Sequence, residues 1–216
     1  MKAIIQELKY FLKRKDIGTD SDRALLLDFQ ATLEIKPEKA IKLEKDALAQ
    51  IENITADNAR LVSNLHANLG GLYRMNGYPD LAREHMEKSI SLLDQFNLLH
   101  INDSIPQIAN YAMFLTEQQE PERGISELQK LSGIIKEYHS DDCLDYAKVQ
   151  ETLGTIYLMT ANLPQAKTHF KRAFKIYEKI WADEPEMIEA KYQEIQELYP
   201  QIGFCIGKNL SGLLTK

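Results

Sequence analysis

A spacing of 42 residues constrains this chain more than any other feature. The motif Leu-Gly-x-x-Tyr occurs at Gly70 and Tyr73, and again 84 residues later at Gly154 and Tyr157. A small residue also recurs every 42 residues, at Ala40, Ala82, Gly124 and Ala166. A constant period of this size indicates one supersecondary unit repeated along the chain, because such a unit can bury its apolar face only against its neighbours.

A proline near the small residue of every unit predicts where a helix begins. Pro37, Pro79 and Pro121 keep the spacing of 42, and the fourth, Pro164, comes one residue late. Proline suits the first turn of a helix because its φ is fixed there and its missing N–H has no helical partner. Each unit is therefore predicted to be helix A, a short turn and helix B, and the small residues allow the two backbones to approach closely.

The composition favours a helical globular chain. Of the 216 residues, 44% are apolar and 27% charged, with only 10 glycines and 7 prolines. The net charge of −6 argues against a nucleic-acid or anionic-membrane partner. No window approaches the roughly 18 apolar residues of a membrane span, and no signal-peptide core is evident, which predicts a cytoplasmic protein. Cys143 and Cys205 are not part of a CxxC motif or of a Cys/His spacing typical of metal sites, so they are interpreted as free thiols.

The period divides the chain into an array with two terminal segments. Residues 1–20 are predicted to form an N-terminal capping helix, although a second helix of an incomplete repeat and a basic membrane-surface helix are alternatives. The array spans 21–199, and residues 200–216 form an apolar tail that either covers the end of the stack or makes a homodimer contact. The predicted repeats are 21–56, 57–102, 103–139 and 140–182, followed by a helix at 185–199.

No motif for catalysis, metal binding or a cofactor is present in the sequence. The five histidines show no metal-ligand spacing, and there is no phosphate-binding glycine loop and no nucleophile signature. His66 is interpreted as a core residue, whereas His85 and His169 are predicted to point outward from B helices. We therefore expect no catalytic residue, no metal and no cofactor, and an enzyme assembled from residues of several repeats is the least favoured class.

The repeated pattern resembles the tetratricopeptide repeat, most closely at residues 68–89 and 153–173. The usual period of that family is about 34 residues. The longer period here implies longer helices, and it is similar to kinesin light chain repeats and to the arrays of Gram-positive peptide-pheromone receptors. The resemblance implies an all-α fold, an α-solenoid that winds as a right-handed superhelix of about four helix pairs with terminal capping helices.

In such arrays the A helices line a concave groove, and an asparagine before the Leu-Gly or Leu-Ala pair contacts the bound peptide. That position is Asn68 in the second repeat and Asn110 in the third, while Asn64 lies one turn before Asn68. Met75 and Met159 are predicted to lie in the core more often than in the groove. The asparagines have the alternative of simply facing water. The full set of candidate peptide-binding residues is Asn64, Asn68, Arg74, Asn110, Met113, Lys148 and Thr155.

Two functions follow from the resemblance. The first is a non-enzymatic scaffold that binds a protein or peptide segment along the concave face. The alternative is a peptide-responsive regulatory module, as in bacterial regulators, with its output domain missing from this chain because residues 1–20 are too short to form one.

Overall fold

The structure is a computed structural model that describes residue 10 and residues 18–102 and 104–198. All regular structure in these residues is helical, in agreement with the predicted all-α class. The predicted capping helix lies mostly outside the described residues, and the apolar tail and Cys205 lie wholly outside them. The helices are α1 (Asp20–Thr32), α2 (Pro37–Leu48), α3 (Ala59–Met75), α4 (Pro79–Gln95), α5 (Ser104–Glu117), α6 (Pro121–Tyr138), α7 (Leu144–Met159), α8 (Leu163–Ile180) and α9 (Pro185–Leu198).

The period of 42 residues recurs in the backbone itself. Helices α2, α4, α6 and α8 begin 42 residues apart, the first three at the predicted prolines. The turns before the last three of them share one geometry, with a left-handed residue of φ 76°, 66° and 58° at Gly77, Gln119 and Ala161. The following N–H donates to the carbonyl five residues earlier over 3.0, 2.8 and 2.7 Å, which closes each A helix with a Schellman-type cap.

The starts of the A helices are less regular than their ends. Thr19 caps α1 in a capping box with Asp22, where the Thr19 Oγ1 accepts the Asp22 N–H over 3.1 Å. At α3 the N-cap residue is Asn58, whose side chain makes no capping hydrogen bond. At α7 the sulfur of Cys143, a free thiol, accepts the N–H of Tyr146 over 3.4 Å.

The chain divides into two compact units, Met1–Tyr111 and Ala112–Lys216, and α5 contributes residues to both. In the first unit the interior is aliphatic and includes Leu65, Leu69 and Leu93, each without solvent exposure. In the second unit it is more aromatic, with Phe170 and Tyr177 at its centre. None of the helices in the described part of the chain is both long and apolar enough to cross a membrane.

Helices A and B of a pair cross where their smallest residues meet. A Cβ on Gly70 would lie 3.3 Å from the carbonyl oxygen of Ala82, and one on Gly124 would lie 2.6 Å from that of Ala112. The corresponding positions in the fourth repeat are Gly154 and Ala166, both buried. Each of these crossings therefore combines one glycine with one alanine. A methyl group added to the glycine would meet the backbone of Ala112 in the third repeat, and the side chains of Met86 and Phe170 in the second and fourth.

This constraint predicts opposite effects for two substitutions on α6. Gly124→Ala is expected to destabilise the fold by about 1–3 kcal/mol, because the new methyl group meets the rigid backbone of α5. Gly133→Ala serves as the control, since nothing lies within 4 Å of its Cβ position, and a gain of about 0.5–1 kcal/mol is expected from helix propensity. Urea unfolding of both variants measures the difference. Equal effects would show that the crossing is not tightly packed.

Candidate binding surface

Two cavities in the first unit lie side by side along α3. Their volumes are about 240 and about 410 Å³, and both are lined by Ala67, Gly71, Met75 and Asn110. The three residues of α3 are spaced by four, so they form one stripe along the helix. The smaller cavity adds residues of α4 and α5, and the larger one adds residues of α1 and α2.

The two neighbouring glycines of α3 have different environments. Gly70 is buried against Met86, whose Cγ would lie 2.6 Å from an added Cβ, whereas nothing lies within 4 Å of the same position on Gly71. Gly71 therefore leaves open space between the residues that line both cavities, and it makes no close packing contact. Met75, at the end of the stripe, is 85% exposed, so its predicted place in the core is wrong. Met159 in the second unit is also exposed, at 46%.

The three predicted asparagines and Arg74 lie in the first unit, but they do not have equal roles. Asn110 is exposed, and Arg74 is half-buried in the wall of the smaller cavity. The Asn68 Nδ2 donates to Asp28 Oδ1 over 2.8 Å and to Glu44 Oε1 over 3.2 Å. The Asn64 Oδ1 accepts the Gln107 Nε2 over 2.5 Å. Asn68 and Asn64 thus hold neighbouring helices together.

Gln107 is a residue of this surface that the sequence analysis missed. Its Oε1 accepts the Ser89 hydroxyl over 2.6 Å and lies 2.9 Å from the Ser63 hydroxyl, both of which are buried. Because its Nε2 bonds to Asn64, this one side chain connects α3, α4 and α5. The sequence marks Gln107 as unusual, because the residues 42 positions before and after it are apolar, Leu65 and Val149, and both are buried.

In the first repeat, two acidic residues stand where the other repeats have a small residue and a large apolar residue at the crossing of the two helices. The position of Gly70, Ala112 and Gly154 is taken by Asp28, and that of Met86, Leu128 and Phe170 by Glu44. Glu44 is 2% exposed, lines the larger cavity, and its Oε2 has no hydrogen-bond partner as a carboxylate. The small residues of the other repeats did not predict this acidic pair.

The acidic pair has a strong preference for binding a proton. Burial, followed by the nearby charge of Asp28 and the hydrogen bond to it, raises the pKa of Glu44 to about 8. Burial also raises the pKa of Asp28, although hydrogen bonds from Glu44 and Asn68 oppose that effect. A proton on Glu44 can be donated to Asp28, so the two carboxyl groups share one proton and the Asn68 amide supports the remaining charge.

The candidate residues of the second unit do not line either of these two cavities. Met113 is half-buried, and Lys148 is exposed with its Nζ 3.9 Å from Asp145 Oδ1. Thr155 is only 7% exposed, and its hydroxyl donates to the Glu151 carbonyl over 3.1 Å. Thr155 is therefore a packing residue in this structure, with little surface to offer a ligand.

The histidines of the B helices pack against A helices, so their predicted outward orientation is wrong. His85 stacks on Tyr73 with ring centroids 5.4 Å apart, and His169 stacks on Tyr157 in the same way at 5.2 Å. The Nδ1 of His85 lies 2.9 Å from that of His66. Burial lowers the pKa of His66 to about 4, which keeps it neutral. In the described residues no cluster of three metal-ligating side chains occurs.

Comparison with known proteins agrees with this architecture. Residues 104–179 match the family model described as tetratricopeptide repeat. Crystal structures of BtubC (BKLC) from P. vanneervenii and of a putative kinesin light chain from Podosopora anserina superpose with TM-scores of 0.66 and 0.68. The sequence identities are 19% and 13%, and the matches cover 81% and 84% of this chain and 70% and 88% of those chains. No curated protein sequence matches the chain.

The fold is therefore of the all-α, α-solenoid class, and residues 104–179 match the tetratricopeptide repeat. The likeness to the two solved structures concerns the fold. The resemblance seen in the sequence is confirmed. Repeats of this family support protein–protein interaction in general, and the matches do not specify a partner.

The acidic pair predicts a characteristic dependence of stability on pH. A group whose pKa is raised by folding stabilises the protein while the group is protonated. For Glu44 this contribution is lost as pH rises from 4.5, the ordinary pKa of a glutamate, through about 8, its pKa in the folded protein. Glu44→Gln keeps a neutral side chain of the same shape at every pH. We expect this variant to have a higher melting temperature than the wild type. The difference should grow between pH 5 and pH 8, level off above that, and reach on the order of several degrees.

Thermal unfolding by circular dichroism at intervals across this range makes the measurement. Titration of the histidines affects both proteins equally and cancels in the difference. An increment that does not change with pH would mean that Glu44 has an ordinary pKa in the folded protein.

Proposed function

We propose that this protein is a non-enzymatic scaffold whose first unit binds an extended segment of a partner protein or a peptide along the stripe Ala67, Gly71 and Met75 of α3. The observation that carries the proposal is the pair of adjoining cavities that share this stripe, with open space at Gly71 and the exposed Asn110 beside it. The ability of this repeat class to present binding surfaces supports it.

The chemistry of the surface suits an extended chain. The carboxamide of Asn110 offers both a donor and an acceptor to a peptide backbone. Met75 supplies a flexible apolar contact that adapts to different side chains. The smaller cavity, of about 240 Å³, has room for one side chain, and Arg74 adds a cationic group to its wall.

A peptide-responsive regulatory module is the second candidate, and it uses the same surface. It differs from the scaffold in the consequence of binding, since a regulator must change conformation when its peptide binds. A cytoplasmic location and the absence of nucleic-acid and membrane partners stay part of the proposal. The suggested homodimer contact through residues 200–216 falls outside the described residues. Hydrogen exchange with and without a bound peptide separates the two candidates, because only the regulator changes protection away from the cavities.

Filling the surface tests the proposal without disturbing the core. Peptides are first selected from a random display library on the wild-type protein, and their affinities are then measured for Gly71→Gln. We expect binding to weaken at least about tenfold, because the new side chain projects from a residue that lines both cavities. The fold should be unaffected or slightly more stable, since a helix-interior glycine is replaced.

The matched control is Gly133→Gln on the exposed face of α6, where an added Cβ also meets nothing within 4 Å. Its affinities should equal those of the wild type. Asn110→Ala provides a milder second variant, and it is preferable to Asn68→Ala, which removes a support of the acidic pair. Unchanged affinity in Gly71→Gln, or a library that yields no binding peptide, would contradict the proposal.

A further inference from the structure

A buried carboxyl group that favours a positive partner lines the larger cavity. Glu44 lines this cavity, is 2% exposed, and its Oε2 receives no hydrogen bond, while its Oε1 accepts only the Asn68 amide at 3.2 Å. Asp28 is bridged to it by the same amide nitrogen over 2.8 Å. A buried carboxylate with one oxygen unsatisfied is costly, so this site favours a positive partner, either a proton or the cation of a ligand.

The repeat architecture shows that the acidic pair is not required for packing. The second, third and fourth repeats make the same crossing with Gly70 and Met86, with Ala112 and Leu128, and with Gly154 and Phe170. An apolar pair at this crossing generally stabilises a fold at least as well as buried ionisable groups do. Asp28 and Glu44 therefore add a property that the other three repeats lack, and they add it beside the open cavity.

We propose that the cavity above Asp28 and Glu44 is a subsite for a basic side chain, lysine or arginine, of the bound partner segment. This inference rests on the proposed function, since it assigns the chemistry of one residue of that segment. The cation replaces the shared proton at Glu44, whose side chain lines the cavity, and Asn68 keeps both carboxylates in place through its two N–H groups.

The size and surroundings of the cavity fit such a side chain. Its volume of about 410 Å³ accommodates the methylene stem, and Ile35, Ala40, Leu72 and Met75 give it apolar walls. The remaining acidic residue of the lining, Glu34, already accepts the N–H groups of Ile35 and Lys36 over 3.0 Å. Lysine has a long apolar stem with a compact charge, which matches a hydrophobic passage that ends at a buried carboxylate.

Cation binding must be linked to pH. Glu44 is contacted by Asp28 from α1 and by the neutral Asn68 from α3, and after burial the charge of Asp28 is what raises the pKa of Glu44. Because the raised pKa keeps a proton on the empty pair at neutral pH, the ligand has to displace that proton. Affinity for a cationic side chain therefore rises with pH between about 6 and 8.5, whereas affinity for a neutral side chain does not change.

The test uses four pentapeptides, acetyl-Ala-Ala-X-Ala-Ala-amide, in which X is lysine, arginine, norleucine or glutamate. Binding to the full chain is followed by NMR titration at pH 7. We expect the lysine or arginine peptide to bind at least about tenfold more tightly than the norleucine peptide, as one charge-assisted hydrogen bond in a buried site requires. The glutamate peptide should bind most weakly.

The matched variant is Asp28→Gly combined with Glu44→Met, which installs the residue pair of the second repeat at the same crossing. Because Gly70 and Met86 already pack in this way, the double variant is expected to fold, and circular dichroism verifies this. It should bind the lysine and norleucine peptides equally. Glu44→Gln, which retains Asp28, should keep only part of the preference for lysine.

Equal or absent binding of the four peptides to the wild-type protein would overturn the subsite, as would a preference for lysine that persists in the double variant. These failures are distinct from failure of the proposed function. Library peptides that bind the wild type, lose affinity in Gly71→Gln and show no enrichment of basic residues would leave the binding surface intact and refute only its preference for a cation.

Discussion

Helices A and B of each repeat can approach one another only where their backbones carry almost no side chain. Three crossings meet this requirement with one glycine and one alanine, and in the second and fourth repeats a large side chain, Met86 or Phe170, then covers the glycine. The Schellman-type turns after Tyr73, Leu115 and Tyr157 return the chain so that helix B reaches the crossing in the same register. The geometry of the helix pairs depends on this contact.

The same constraint leaves a surface open. Gly70 and Gly71 are adjacent, yet the helix turns by about 100° between them, so that one faces α4 and the other faces the cavities. The packing requirement accounts for Gly70 alone. Gly71 lowers helix propensity without any gain in packing, and a position of that kind is expected where a ligand approaches the backbone. One turn of α3 therefore contains both the glycine that packing requires and the glycine that faces the proposed binding surface.

The first repeat departs from this rule in an instructive way. Asp28 and Glu44 take the positions of a small and a large apolar residue, so the crossing there contains two ionisable groups and the Asn68 amide. Such an arrangement stabilises the fold less than its apolar equivalents, unless a proton or another cation neutralises it. Its cost to stability and its use in binding are two consequences of one buried charge.

The period in the sequence predicted the helix pairs, the prolines that begin α2, α4 and α6, and the small residues of the crossings, because these features are local and repeat. Alignment to a family pattern could not predict the polar contacts. The Asn68 amide bonds to residues 24 and 40 positions away, and Gln107 bonds to Asn64 across 43. Deviations from the repeat were the available signal, since Glu44 and Gln107 each stand where the other repeats have mainly apolar residues.

The account depends most directly on the protonation of the acidic pair. Carbon-13 NMR of the side-chain carboxyl groups, assigned with Glu44→Gln and Asp28→Asn, follows both groups through a pH titration of the full chain. Burial and mutual repulsion predict that Glu44 stays protonated at neutral pH and ionises near pH 8, well above its ordinary 4.5. Ionisation of both carboxyl groups near their ordinary pKa values would contradict the account, because the acidic pair would then have no raised affinity for a proton or another cation.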